Sequence, residues 1–144
     1  MPERRGGRIL GLDFGSSRIG AAVSDPLGIT AQPLSAIRRQ GNNRDIEVIG
    51  DLVREYDVGT VLIGLPLHLT GEEGAQAKKA RVFGEKIRER LGIPVETWDE
   101  RMTTAQAERH LIACGVRREK RKEIRDSLSA VFLLQSALDA RSRK

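Results

Sequence analysis

The chain has 144 residues, 39% of them apolar and 31% charged, a globular balance at a length that suits one domain, so residues 1–144 are read as a single domain. No apolar run approaches the roughly 18 residues a membrane span needs, and the run from Ile9 is broken at Asp13, which is not a secretory signal, so the expected location is the cytoplasm. A formal net charge of +5 favours polyanionic partners, and the single cysteine, Cys114, excludes an internal disulfide and a thiolate zinc site, leaving oxygen-ligated ions as the metals to consider.

Arg8 to Phe14 and Ile19 to Ser24 are short apolar runs separated by Gly15-Ser16-Ser17, which predicts a hairpin. Ile29 to Arg39, interrupted by Pro33, predicts a third strand at the sheet edge. From Asn43, residues Ile46, Ile49, Leu52, Val53 and Tyr56 recur at helical spacing, with an asparagine at the N-cap. Val58 to Ile63, ending in Gly64-Leu65-Pro66, suits a strand buried on both faces of a parallel sheet.

A second long helix is expected from about Glu72 to Leu91, with Ala80, Phe83, Ile87 and Leu91 on one stripe and Gly92 as a left-handed stop. Val95 to Trp98 is a brief strand. Thr103 with Gln106 forms a capping box for a helix carrying Leu111 and Ile112 and closed by Gly115. Ile124, Leu128, Val131, Phe132, Gln135 and Leu138 outline a terminal helix before the basic residues Arg141 to Lys144. The order is an α/β layer fold that opens with an antiparallel meander. Ribonuclease H-like domains share it, as do subdomains of actin-like ATPases and sugar kinases, so topology alone does not choose the chemistry.

Asp13 interrupts the most apolar segment of the chain, where an unpaired carboxylate would cost several kcal/mol. It caps a turn or holds a cation. Two clusters of acids can join it. Asp99 and Glu100 leave the Val95 to Trp98 strand, and if that strand is parallel to the first, both exits share the edge where open sheets build their sites. Asp126 opens the terminal helix, where alone it would be a helix-dipole partner. Together these oxygen ligands suit Mg²⁺ or Mn²⁺, and two such ions about 3.5 to 4 Å apart can activate a water and stabilise the leaving oxygen of a phosphodiester.

Other polar residues have plainer readings. Asp25 and Asp139 are solvated surface, Glu72 and Glu73 begin a helix, and His68 and His110 lack metal-ligand spacing. Arg101 could pair with a carboxylate or contact a phosphate. Between Arg117 and Arg125 lie Arg117, Arg118, Lys120, Arg121, Lys122 and Arg125, a dense positive surface that is either a solvated face or a polyanion site. Aromatic residues are only 3%, so contacts to a nucleic acid should fall mainly on phosphates and depend strongly on salt.

Four segments in order, Ile9-Leu10-Gly11-Leu12-Asp13-Phe14-Gly15 with Arg18-Ile19-Gly20, then Gly64-Leu65-Pro66-Leu67, then Asp99-Glu100-Arg101-Met102-Thr103-Thr104, then Asp126-Ser127, closely resemble the YqgF/RuvX family. The resemblance implies a ribonuclease H-like fold, a mixed five-stranded sheet flanked by helices, often as a homodimer. It also implies a nuclease acting on pre-16S rRNA or, by likeness to RuvC, on Holliday junctions.

Carried onto this chain, the family's acidic site falls on Asp13, Glu100 and Asp126, which would hold the metal. The substrate would meet Arg18, Arg101, Thr103 and the basic run Arg117, Arg118, Lys120, Arg121 and Lys122. One departure from the general ribonuclease H plan stands out: the fourth strand ends in Gly64-Leu65-Pro66-Leu67 and supplies no carboxylate. Structured RNA is the expected substrate, ahead of four-way DNA junctions. A nucleic-acid-binding factor without catalysis is the reading from another class, and an actin-like ATPase is disfavoured because those enzymes close two such domains around the nucleotide.

Overall fold

In a computed structural model, residues 7–66, 70–100 and 118–142 are described. Five strands, β1 (Arg8–Phe14), β2 (Arg18–Ser24), β3 (Ala31–Arg38), β4 (Val58–Leu65) and β5 (Val95–Asp99), form one sheet in the order β3-β2-β1-β4-β5. β1 pairs antiparallel with β2, and β2 with β3. β4 runs parallel to β1, and β5 parallel to β4. The sheet is therefore mixed, and the carboxyl ends of β1, β3, β4 and β5 share one edge. Among the described residues three helices, α1 (Asn42–Glu55), α2 (Ala75–Leu91) and α3 (Arg118–Ser142), cover it.

Strand alternation assigns the two faces. Leu10, Leu12, Phe14, Ile19 and Ile63 pack with Ile46 and Ile49 of α1 and Ala80, Phe83 and Ile87 of α2. Ile9, Ala22 and Leu62 face α3 through Leu133, Leu134 and Ala137. Gly11 lets α3 approach: a Cβ there would stand 3.0 Å from Leu134 Cβ. β4 is buried along its second half because both faces are covered, as its unbroken apolar run predicts.

Several boundaries differ from the sequence expectation, each for a visible reason. β3 begins at Ala31 rather than Ile29 because Asp25 Oδ1 accepts hydrogen bonds from the Ile29 and Thr30 amides and holds the preceding residues in a turn. Asp25 is thus a turn anchor as well as a surface group. The N-cap of α1 is Gly41, not an asparagine; Asn42 Oδ1 accepts from Arg39 and Asn43 Oδ1 accepts from Arg90. α2 starts at Ala75, so Glu72 and Glu73 precede it, and Glu73 pairs with Arg81 instead of serving the helix terminus.

The stop at Gly92 is as expected, with φ 65° and its amide bonded to the Arg88 carbonyl. α3 reaches back to Arg118 and carries the basic residues 118 to 125, so Asp126 stands eight residues into the helix rather than at its start. The helix also extends to Ser142, and Arg141 pairs with Glu96 of β5. His68, His110 and the expected helix from Thr103 to Gly115 lie outside the described residues.

Candidate active site

β1 ends in Asp13-Phe14, and alternation sends Asp13 to the α3 face with Ile9 and Gly11. On β4, Leu62 and Gly64 share that face. β5 pairs with β4 from Val61↔Val95 to Leu65↔Asp99, and the Glu100 amide adds a further bond of 3.1 Å to the Leu65 carbonyl. That bond fixes Glu100 one residue past the strand, in phase with Trp98, which packs against the α3-side core. Asp13 and Glu100 therefore meet on one face at one edge, although β4 separates their strands.

Gly64 makes the meeting possible. A Cβ at this position would lie 2.6 Å from Glu100 Cδ and would overlap Glu100 Oε2 and Leu133 Cδ1. The Glu100 carboxyl thus occupies the room that a side chain on β4 would fill. The absent β4 carboxylate was visible in the sequence; its replacement by a carboxyl reaching across from the neighbouring strand is the structural answer.

Burial pushes the Glu100 carboxyl up to about 9, helped by the charge of Asp13, a side-chain hydrogen bond with Asp13, and the charge of Asp99. In this state a protonated Glu100 donates to the Asp13 carboxylate. Its Oε2 is buried and has no hydrogen-bond partner. Two carboxyls pressed together, one with an unsatisfied buried oxygen, form a donor set that a hard divalent cation fits: the ion would neutralise the repulsion and satisfy the orphaned oxygen.

Asp126 approaches through its helix. Arg141, near the end of α3, pairs with Glu96 early in β5, whereas Leu133 abuts Gly64, which pairs with Trp98 late in β5. α3 therefore runs opposite to β4 and β5. Asp126 lies seven residues before Leu133, about 10 Å along the axis, beyond the level of Gly64 toward the edge that holds Asp13. Its side chain is outside the described set, as are those of Arg118, Lys120, Arg121 and Lys122 on the preceding turns. Arg101, Thr103 and Arg117 also lie outside the described residues. Arg18 opens β2 at the same edge, and its carbonyl accepts the Gly15 amide.

The sequence did not reveal the clamp on the turn that follows Asp13. Arg39 Nε donates to Asp45 Oδ2 at 2.7 Å, Nη2 to Asn42 Oδ1 at 2.7 Å and Nη1 to the Gly15 carbonyl at 3.2 Å. Its guanidinium lies 4.4 Å from the centroid of Phe14, and its amide donates to the Ser17 carbonyl. Asp45 is 1% exposed and also accepts the Gln40 amide. Arg39 thus grips the residue after Asp13 and the turn beyond it. An aspartate on the first turn of α1, four residues after Gly41, is the only signal the sequence offers, and a helix-dipole role accounts for it equally well.

Comparison with known proteins gives the family and the fold. The profile of the RuvX family, described as "Holliday junction resolvase", matches residues 7–140. A protein of Desulforamulus reducens named "Putative pre-16S rRNA nuclease" is 44% identical over 133 residues, covering 92% of this chain and 97% of its own. A protein of the same name from Syntrophus aciditrophicus is 47% identical over 137 residues, covering 95% and 91%. Among solved structures, Thermus thermophilus RuvC in complex with a Holliday junction substrate superposes with a TM-score of 0.58 at 17% identity, over 94% of this chain and 96% of that one. The likeness to RuvC shows that the fold is ribonuclease H-like.

Proposed function

The chain belongs to the RuvX family, and from that premise we propose a divalent-metal-dependent nuclease that hydrolyses phosphodiester bonds in the maturation of pre-16S rRNA. Residues 1–144 act as one domain, in the cytoplasm where ribosomes are assembled. The observation that carries this reading is the Asp13 and Glu100 carboxyl pair, pressed together beside Gly64 with Glu100 Oε2 unsatisfied.

Asp13, Glu100 and Asp126 would hold Mg²⁺ or Mn²⁺. When bound, such ions activate an attacking water and stabilise the leaving oxygen. The chain's own residues do the rest. Arg39 and Asp45 fix the turn after Asp13 and so orient its carboxylate. Gly64 admits Glu100, whose proton must leave before it can serve as a ligand. Cations along the first turns of α3, with Arg18, Arg101 and Thr103, bind substrate phosphates.

Mg²⁺- or Mn²⁺-dependent cleavage of a precursor rRNA fragment, with Asp13→Asn as control, tests the reading. Equal activity in that variant would sink the mechanism. A second reading follows from the family's description as a resolvase: a homodimer with two matched sites cutting four-way DNA junctions. Symmetrical nicking of mobile junctions by a protein that ignores precursor rRNA would establish it instead.

A further inference from the structure

The face of the sheet opposite Asp13 carries a cavity at the same edge. Its volume is about 420 Å³, and it is lined by Phe14, Arg39, Asn42, Lys78, Lys79 and Val82, within the range of small-ligand pockets. The topology fixes its position. Phe14 follows Asp13 directly, Arg39 and Asn42 lie where β3 passes into α1, and Lys78 and Lys79 lie on the first turns of α2. All of these mark the carboxyl edge of the sheet, where the candidate active site is built.

No carboxylate is among these lining residues. Arg39 already donates to Asp45, Asn42 and the Gly15 carbonyl, so it contributes a planar surface stacked on Phe14 more than a free charge. Lys78 and Lys79 are exposed, and the nearby Glu73 is bonded to Arg81. Val82 is 49% exposed, one of three large apolar side chains left to solvent among the described residues. Phe14 itself is buried beneath that guanidinium, so the surface offered is the Arg39 plane and the Val82 side chain beside two ammonium groups, which matches a nucleobase and the phosphates on either side of it.

We propose that this cavity is a substrate subsite that receives an unpaired nucleotide flanking the scissile phosphate, its base against the Arg39 guanidinium and Val82 and its phosphates on Lys78 and Lys79. This rests on the nuclease reading above. A strand bound by the basic turns of α3 on one face would cross the sheet edge at Asp13 and Glu100 and descend into the cavity on the other. The two faces together make a track for single-stranded nucleic acid, with the carboxyl pair at its crest.

The test measures binding apart from turnover. A fluorescent RNA hairpin with an unpaired 5′ leader is titrated with Asp13→Asn protein in EDTA, by anisotropy, at several salt concentrations. Adding Lys78→Ala and Lys79→Ala should raise Kd about tenfold and reduce the salt slope by about two. Lys86→Ala, on the same helix but outside the cavity, should leave both unchanged. Val82→Glu should weaken binding similarly, and thermal melting checks that each variant is folded.

Lysine variants that bind like the parent, or no worse than Lys86→Ala, overturn the subsite. Cleavage by protein with Asp13 intact is followed in parallel. If cleavage proceeds while the lysine variants bind normally, the subsite fails and the nuclease reading stands. If no RNA is cut but the lysine pair governs binding, the cavity stands as a nucleotide-binding site and the catalytic reading fails.

Discussion

The carboxyl of Glu100 fills the space that a side chain at Gly64 would occupy: a Cβ on Gly64 would come within 2.6 Å of Glu100 Cδ. Gly64→Ala must therefore displace Glu100, Leu133 or both. The expected result is loss of cleavage by about 100-fold or more with a stability cost of about 1–3 kcal/mol. Single-turnover rates and chemical denaturation check the two effects separately. Full activity in Gly64→Ala would mean that Glu100 does not need its observed place.

The raised pKa of Glu100 gives a second prediction. Its folded value of about 9 lies above the ordinary 4.5, so the folded protein holds a proton that the unfolded chain releases between these values. Metal-free stability contributed by this group is complete below about pH 4.5 and declines as pH rises toward 9. Glu100→Gln should flatten that decline in thermal melts taken in EDTA. Mn²⁺ binding near pH 7.5 should release about one proton from wild-type protein, read by calorimetry in buffers of different ionisation enthalpy. Equal proton release from Glu100→Gln would assign the proton elsewhere.

Asp45 is almost wholly buried, and it faces Arg39 from the first turn of α1. Asp45→Asn leaves the guanidinium without its counter-charge, at a cost of about 3 kcal/mol. Because Arg39 also binds the Gly15 carbonyl, Mn²⁺ affinity should fall as well, with Arg39→Lys intermediate since it keeps the charge without the three-way hydrogen bonding. A variant that loses stability but binds metal normally would show that the clamp does not orient Asp13.

Gly92 adopts φ 65° at the end of α2. Gly92→Ala forces a Cβ into the left-handed region, for a loss of about 1 kcal/mol in urea denaturation. Cleavage should be unaffected at temperatures where the variant is folded, because α2 ends at the sheet edge opposite Asp13.

Much of this was legible in the sequence because strong periodic signals carried it. The alternation around Gly15-Ser16-Ser17, the unbroken run before Gly64 and the stripe through Ala80, Phe83 and Ile87 each determined an element and its buried face. The direction of β5 stayed conditional in the sequence; its parallel pairing with β4 meets that condition and gives Asp13 and Glu100 their shared edge. Capping was less legible. Asn42 and Asn43 look like caps, but nearby arginines compete for their oxygens. The Arg39 and Asp45 pair was hidden because six residues and a turn separate them, and no local pattern distinguishes such a pair from two surface charges. The depth of Asp126 within α3 was missed because the apolar stripe that outlines the helix begins only at Ile124, and the dense charge before it carries no such periodicity although it is helical.

The place of β5 has a last consequence. It is the shortest of the five strands, it is paired within the sheet on one side only, and Arg141 fastens its near end through Glu96. Glu100, the acid proposed as a metal ligand, sits just past its far end. Peeling this one ribbon away would disarm the protein while both apolar layers stayed assembled, so catalytic competence should be lost in mild denaturant well before the main unfolding transition. The reactive centre is a more delicate object than the scaffold that carries it.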